Sequence, residues 1–502
     1  MEHGTERADF PAAAPIYRMA GIRVIEQRFI RQFPLMERAG AAATEVAQRL
    51  LPASGAPVAI LCGPGNNGGD GFVVARRLSA AGHAVTVVFA GDPARLPEDA
   101  RATFEAYRVA GGSTTDTLPE SRRFALAVDA LFGIGLARAI EGRYAEWIAW
   151  LNAADCPVLA IDIPSGLDAD TGRRLGSIVN ATHTATFIAL KPGLLTLDGP
   201  DHCGEISVHE LDLAPGAVVE AEGRTVTPGL FSGQLRPRPR NSHKGMMGDA
   251  GIVGGAAGMV GAALLAGRAA LKLGAGRVFV GMLAEQAPAV DLLAPELMLR
   301  DAEQVVAIAS ALAVGPGLGR SEPARMLLEA AAAREAPLVL DADALNLVAG
   351  HPELARSVSR RDAPTLMTPH PAEAGRLLGC PTADVQADRV AAAQALARTF
   401  NAFAALKGCG TVIAAPDGKW SINTSGNPGM ASAGMGDVLT GMAAAFLAQG
   451  WPAEAALRAA VHLHGAAADR LAAAGDGPVG LAAGELIESA RTLLNGWIGR
   501  RF

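Results

Sequence analysis

Three groups of residues in this sequence have the types and spacing to do chemistry. The longest is N-T-S-G-N-P-G-M-A-S-A-G-M-G-D-V-L-T-G, at 423–441. Glycines that open an apolar helix leave backbone N–H groups and the helix dipole facing a phosphate. Asp437 falls in the first turn of that helix, where a carboxylate can take the proton of a hydroxyl attacking phosphorus. Reactions of that kind rest on positioning and electrostatics more than on covalent chemistry.

The second group is C-G-P-G-N-N-G-G-D-G-F, at 62–72, which spells G-x-G-x-x-G through Gly63, Gly65 and Gly68 after the apolar run 58–61. In a redox domain that binds a dinucleotide, the third glycine packs helix on strand and an acid ends the second strand. Here Asn66, Asn67 and Asp70 put amides and a charge into the loop. The second strand ends Val87-Val88-Phe89-Ala90, with no acid before Asp92. The loop therefore reads as a ligand and ion site, not as a hydride-transfer site.

The third group is a pair of strand ends, V-D-A-L-F-G-I-G-L-A-R-A (128–139) and A-I-D-I-P-S-G-L-D (160–168). Asn67, Asp129 and Ser165 together offer amide, carboxylate and hydroxyl oxygens, a hard-cation set with too little charge for a tight divalent cage. Asp162 is a candidate general acid or base. Each residue taken singly reads first as a turn or helix cap; three strand ends meeting at one edge favour a site. In the second half, G-P-G-L-G (315–319), Asp341, Asp343, Asn346, His370, Glu373, Lys407 and Thr411 also follow apolar strands. None of these stretches matches G-x-x-x-x-G-K-[ST], which excludes a P-loop enzyme.

The elements that must position these residues alternate between strand and helix. Apolar positions recur at helical spacing over 18–50, interrupted by Pro34, and β-rich runs follow at 58–62, 84–90, 125–129, 157–163, 184–190 and 205–209. Prolines, glycines and the basic run R-P-R-P-R-N-S-H-K mark a linker around 212–244. Strands are then expected at 250–253, 277–282, 311–314, 337–341, 364–368, 402–407 and 411–415, with helices at 385–399, 437–448 and 453–472. This alternation predicts two α/β domains, each a parallel sheet covered on both faces.

At 502 residues the chain exceeds one ordinary core. A net charge of −6 gives no general attraction to nucleic acid or to an anionic membrane. The charge-free stretch 250–267 is rich in Gly and Ala and reads as a buried strand, loop and helix, not a membrane span. The N-terminus, with Glu2, Glu6 and Asp9, is not a signal peptide, and five scattered cysteines without C-x-x-C point to a reducing cytoplasm.

The motifs match a known family. G-P-G-N-N-G-G-D-G, A-L-F-G-I-G-L and I-D-I-P-S-G-L-D resemble the NAD(P)H-hydrate epimerase domain, a Rossmann-like three-layer α/β/α sandwich. H-K-G (243–245), G-P-G-L-G, D-A-D-A-L-N, T-P-H-P-A-E, L-K-G-C-G-T and the 423–441 stretch resemble the ribokinase-like NAD(P)H-hydrate dehydratase. The resemblance implies an epimerase domain over 1–217 and an ADP-dependent dehydratase domain over 225–502. The first interconverts the R and S hydrates of NADH and NADPH. The second phosphorylates the ring hydroxyl of the S hydrate with ADP, or with ATP as in eukaryotic relatives, and eliminates phosphate to restore NAD(P)H.

By motif position, the resemblance implies that Asn66, Asn67, Gly68, Gly69, Asp70, Gly133, Ile134, Gly135, Leu136, Ala137, Arg138 and Ala139 contact the hydrate in the first domain. Asp162 would be its acid/base residue, and Asn67, Asp129 and Ser165 would hold K+. In the second domain, Ala262, Gly317, His370 and Asp437 would contact the hydrate, with Asp437 as the catalytic base. Lys407, Gly408, Cys409, Gly410, Thr411 and Gly436 would contact the nucleotide, accompanied by Mg2+. A homo-oligomer is expected. Ser432, Ala433 and Met435 stand where the family has Thr, Gly and Thr, which places any departure in nucleotide handling; Gly434, Gly436 and Asp437 are kept. The alternative reading is a ribokinase-like kinase of a small alcohol, such as a vitamin precursor, fused to a nucleotide-binding domain. A module that only binds nucleotides is the third.

Overall fold

The computed structural model describes residues 10–52 and 55–499. The chain divides into two compact units, one formed by Ala14–Gly223 and the other by Arg224 onward together with the segment 10–13.

In the first unit the helical pattern breaks at Pro34, leaving α1 (Met19–Phe29) and α2 (Leu35–Leu50). Strands β1 (Pro57–Cys62), β2 (Ala84–Val88), β3 (Thr114–Thr115), β4 (Leu126–Ala130), β5 (Val158–Ile161), β6 (His183–Phe187) and β7 (Glu205–His209) form one sheet, ordered β3-β2-β1-β4-β5-β6-β7. Every neighbouring pair is parallel. Helices α3 (Asn66–Ala80), α4 (Glu98–Val109) and α5 (Arg143–Asn152) join the strands. Separate apolar clusters lie on the two faces, so the central strands are buried throughout, as the unbroken apolar runs anticipate. The chain builds outward from β1 in one direction and from β4 in the other. Their carboxyl ends therefore flank the switch point at which open α/β sheets bind ligands.

The second unit repeats the principle on a larger sheet. Its strands are β8 (Asp249–Gly254), β9 (Arg277–Met282), β10 (Met298–Arg300), β11 (Ala311–Val314), β12 (Leu338–Leu340), β13 (Thr365–Met367), β14 (Phe403–Leu406), β15 (Thr411–Ala414) and β16 (Trp420–Asn423). Their order is β16-β15-β14-β13-β12-β11-β8-β9-β10, parallel from β10 to β14 and antiparallel across β14, β15 and β16. The switch point lies between β8 and β11. The helices that matter for function are α6 (Val260–Lys272), α7 (Ala342–Gly350), α8 (Pro371–Leu378), α9 (Arg389–Phe400), α10 (Met435–Ala448) and α11 (Ala453–Ala473). Helix α10 is buried from Val438 to Leu447. A Cβ on Gly441 would stand 2.0 Å from the carbonyl oxygen of Ala266, so α10 and α6 cross in close contact.

The charge-free stretch at 250–267 is the expected strand, loop and helix start. Among the described residues no helix is long and apolar enough to cross a membrane. The helix expected at 385–399 is divided: Asp388 caps α9, its Oδ1 accepting from Ala391 N at 2.8 Å. Strands β3, β10 and β16 are additions to the sequence reading. Each is four residues or fewer, too short to show a period. In the linker, Arg238 donates to Gly274 O and to Gln449 Oε1, which holds the basic run on the second unit.

Candidate active sites

In the first unit the loops after β1, β4, β5 and β6 surround a cavity of ≈ 690 Å³. The glycines of the 62–72 loop do what their spelling suggests. A Cβ on Gly63 would lie 1.7 Å from Leu131 O, and one on Gly68 would lie 2.0 Å from Gly63 O, so both allow close backbone approach. Gly65 has open space and lines the cavity with Asn66, Asn67 and Asp70. Gly68 and Gly69 lie behind that wall; a Cβ on Gly69 would meet Met36 Sδ at 2.5 Å. Residues Gly133 to Arg138 line the cavity, and Ala139 is outside it.

Asp162 follows β5 directly, in left-handed backbone with φ +67°. It is buried and lines the cavity. Lys191 Nζ donates to Asp162 Oδ1 at 2.6 Å. Asp70 and Glu26 share the wall. Burial pushes the Asp70 carboxyl well above the carboxylate range, with help from the charges of Asp162 and Glu26. Burial likewise raises Glu26.

Asp129 and Ser165 are fully buried beneath the cavity floor. Ser165 N donates to Asp129 Oδ2 at 2.7 Å and Ser165 Oγ to Asp129 Oδ1 at 2.6 Å. Burial raises Asp129 to about 6, against the pull of those bonds. The turn 131–133 gathers all three expected cation ligands. Leu131 N donates to Asp129, Phe132 N donates to Ser165 Oγ, and a Cβ on Gly133 would stand 3.1 Å from Asn67 Oδ1. Asn67 Nδ2 is buried without a hydrogen-bond partner. A half-turn of the amide would put an oxygen there instead. One carboxylate, one hydroxyl and one amide suit a hard monovalent cation, so these residues fit K+. Among the described residues no group of three or more His, Cys, Asp and Glu side chains could hold a metal ion.

In the second unit the parallel register aligns the carboxyl ends of β8, β11, β12, β13 and β14. The expected loops at 315–319, 341–346, 368–373 and 407–411 thus share one edge. Helix α10 begins there behind Gly434, whose φ is +88°. A Cβ on Gly436 would stand 3.3 Å from Lys407 Nζ and 3.4 Å from Asp341 Oδ2, which puts the helix start beside both. Lys407 Nζ donates to Asp341 Oδ1 at 2.8 Å, and Thr440 Oγ1 to Asp341 Oδ2 at 2.9 Å. Burial pulls Lys407 down, but Asp341 and Glu373 outweigh it and leave the ammonium above its ordinary range. Asp437 is half-buried. Burial and the charge of Asp341 raise it to about 6, with Lys407 opposing.

Gly317 has φ +57°, and a Cβ there would stand 3.3 Å from that of Ala262, so these two expected contacts adjoin. His370 caps α8, its Nδ1 accepting from the N–H groups of Ala372 and Glu373, while Glu373 accepts from His370 N. Burial, Lys407 and Arg376 lower its pKa, in keeping with a neutral ring that can accept. The 407–411 turn carries Gly408 at φ +139° and Gly410 at φ +61°. Thr411 Oγ1 donates back to Gly408 O, and Cys409 is exposed. Met435, where the resemblance has Thr, is buried in the core of the unit.

Two residues escaped the sequence reading. Lys191 is a lone charge in the apolar run 184–195, a signal that could have found it. Arg389 lies buried in α9 and donates to the carbonyls of Leu406 and Lys407, directly under Gly408. Nothing in its surrounding sequence marks it.

Comparison with known proteins fits this geometry. The model of the NAD(P)H-hydrate dehydratase family matches residues 250–490, and that of the YjeF-related protein N-terminus matches 32–193. The bifunctional NAD(P)H-hydrate repair enzyme of Escherichia coli (strain K12) is 40% identical over 92% of this chain and 90% of its own. The enzyme of that name from Vibrio cholerae is 40% identical over 93% and 95%. The crystal structure of the ADP/ATP-dependent NAD(P)H-hydrate dehydratase from Bacillus subtilis, co-crystallised with ATP/Mg2+, is 31% identical, with 54% of this chain and 98% of that one covered and a TM-score of 0.49. On identity of this extent over nearly its whole length, the chain belongs to the bifunctional NAD(P)H-hydrate repair enzymes.

Proposed function

We propose that the first unit interconverts the R and S hydrates of NADH and NADPH, and that the second dehydrates the S hydrate with ADP. What carries this reading is the presence, on one chain, of a deep cavity around Asp162 and a glycine-opened helix start bearing Asp437.

Inverting a hydroxyl-bearing carbon needs a group that gives a proton and takes one back, which a cavity carboxylate can do. Asp162 fills that role, and Asn66, Asn67, Asp70 and the 133–138 turn hold the hydrate. Asn67, Asp129 and Ser165 would hold K+, which would supply a fixed positive charge beneath the loop.

In the second unit hydroxide is a poor leaving group, and phosphorylation turns it into a good one. Asp437 removes the proton from the ring hydroxyl as that oxygen attacks the terminal phosphorus of ADP. AMP leaves, and phosphate is then eliminated to give NAD(P)H. The N–H groups at the start of α10 and the 407–411 turn receive the phosphates. Ala262, Gly317 and His370 border the hydrate. Both oxygens of Asp341 are already engaged, so Mg2+ would be held chiefly by the nucleotide phosphates and would offset their charge. ATP is an alternative donor. Five free thiols, two of them fully buried, suit a reducing cytoplasm.

Incubation of the protein with mixed hydrates and ADP tests this directly. The reading expects NADH absorbance to rise with release of free phosphate. Accumulation of a phosphorylated alcohol without NADH would instead identify a small-alcohol kinase.

A further inference from the structure

Lys191 takes no part in the chemistry above, yet its side chain is only 1% exposed at the wall of the first cavity. An ammonium has three donors and no acceptor. All three are used: on Asp162 Oδ1 at 2.6 Å, on Thr186 Oγ1 at 2.8 Å and on the carbonyl oxygen of Phe187 at 2.8 Å. None is left for a ligand.

The contacts of Asp162 are one-sided. Lys191 Nζ, Thr186 Oγ1 and Phe187 N all converge on Oδ1, the last two at 3.4 Å, and no described residue donates to Oδ2. The backbone is fixed as well, with Asp162 N donating to Ala185 O at 2.8 Å. Its left-handed φ of +67° is a conformation that persists only where neighbours over-determine it. The other charged groups lining this cavity are Arg23 and Glu26 from α1, Asp70 from α3, Asp99 from α4 and, on the loop after β4, Arg138. Glu26 and Asp70 are acids, so without Lys191 the carboxylate would face like charges in a desolvated wall.

We propose that Lys191 is the positioning residue of the first site: it ties down Oδ1 of Asp162, sustains the strained backbone there and leaves Oδ2 free for the hydrate, which Lys191 itself never touches. This rests on the reading of the first unit as an epimerase.

The test measures R-to-S conversion across pH for the full-length wild type, Lys191→Met and Lys191→Arg, with S-hydrate dehydration measured alongside. Lys191→Met should lower epimerisation kcat roughly hundredfold with little change in KM, and should move the acid limb of the profile to higher pH. Lys191→Arg, which keeps the charge, should restore most of the rate and the wild-type limb. Lys191→Gln covers the case in which the Met variant fails to fold, and it should show the same displaced limb. A wild-type profile in a folded Met or Gln variant, or an Arg variant as impaired as Met, overturns the role of Lys191. Absence of epimerisation by the wild type would instead count against the function proposed for the whole unit.

Discussion

Each unit sets a carboxylate beside its sheet, Asp162 at a strand end and Asp437 in the first turn of a helix, and the two are surrounded in opposite ways. Asp162 is gripped by a buried ammonium at 2.6 Å. The carboxylate of Asp437 makes no hydrogen bond or ion pair with another described residue, because Lys407 is committed to its neighbour Asp341 at 2.8 Å. One site fixes its proposed acid/base group by a direct ion pair; the other leaves it to a helix backbone and a background charge. An ion-paired carboxylate is pre-oriented for a ligand that must be handled on either face. An unpaired one, raised to about 6 by burial and Asp341, is poised to accept a proton near neutral pH.

Removing each carboxylate is the strongest way to break this comparison. Asp437→Asn should cut dehydration by roughly 10²- to 10⁴-fold while R and S hydrates still equilibrate at the wild-type rate, read by separating the epimers. Asp162→Ala should leave S-hydrate repair intact, with R consumed only at its spontaneous epimerisation rate, a loss of roughly hundredfold. A smaller effect is expected at the pair that spares Asp437. Lys407→Met leaves Asp341 buried without its cation, which costs about 3 kcal/mol. Calorimetry should show a lowered transition for the second unit, with epimerisation retained.

The protonation state of Asp437 sharpens the comparison further. A base works only when ionised, so dehydration should fall as pH drops through about 6 and level off above it. The mildest effect concerns the cation. Exchanging K+ for a bulky organic cation, or Asn67→Ala, should slow epimerisation several-fold and leave dehydration of the S hydrate unchanged. Equal slowing of both activities would remove the cation from the first site.

Much of this was legible in the sequence because switch points oblige functional loops to follow strands. The apolar runs located most of the strands that carry the proposed site residues, and Asp129, Asp162 and Asp437 fell at their ends or at a helix start. Single residues were harder to read. The glycines of the 62–72 loop keep the packing roles of a dinucleotide fingerprint even though the side chains between them differ. Spelling therefore reported backbone geometry correctly and said little about chemistry. Met435 shows the converse. A substitution among the glycines proposed to receive phosphate pointed to altered nucleotide handling, but the Met435 side chain is turned into the core, where it bears on packing. Lys191 and Arg389 act across distances of 29 and 17 residues along the chain, contacts that no local pattern encodes. The hairpin of β15 and β16 was within reach, since A-P-D-G stands between two apolar runs, but four-residue strands offer too few positions for alternation to register.

Whether the chain holds two independent sites with one carboxylate each can be tested by mixing. Asp162→Ala and Asp437→Asn proteins would be supplied, separately and together, with R-enriched hydrate and ADP while NADH is followed. Two independent sites predict a stalled reaction with either protein alone and near wild-type conversion with the mixture, because S hydrate made by one is dehydrated by the other. A mixture no faster than the Asp162→Ala protein alone would contradict that division of labour.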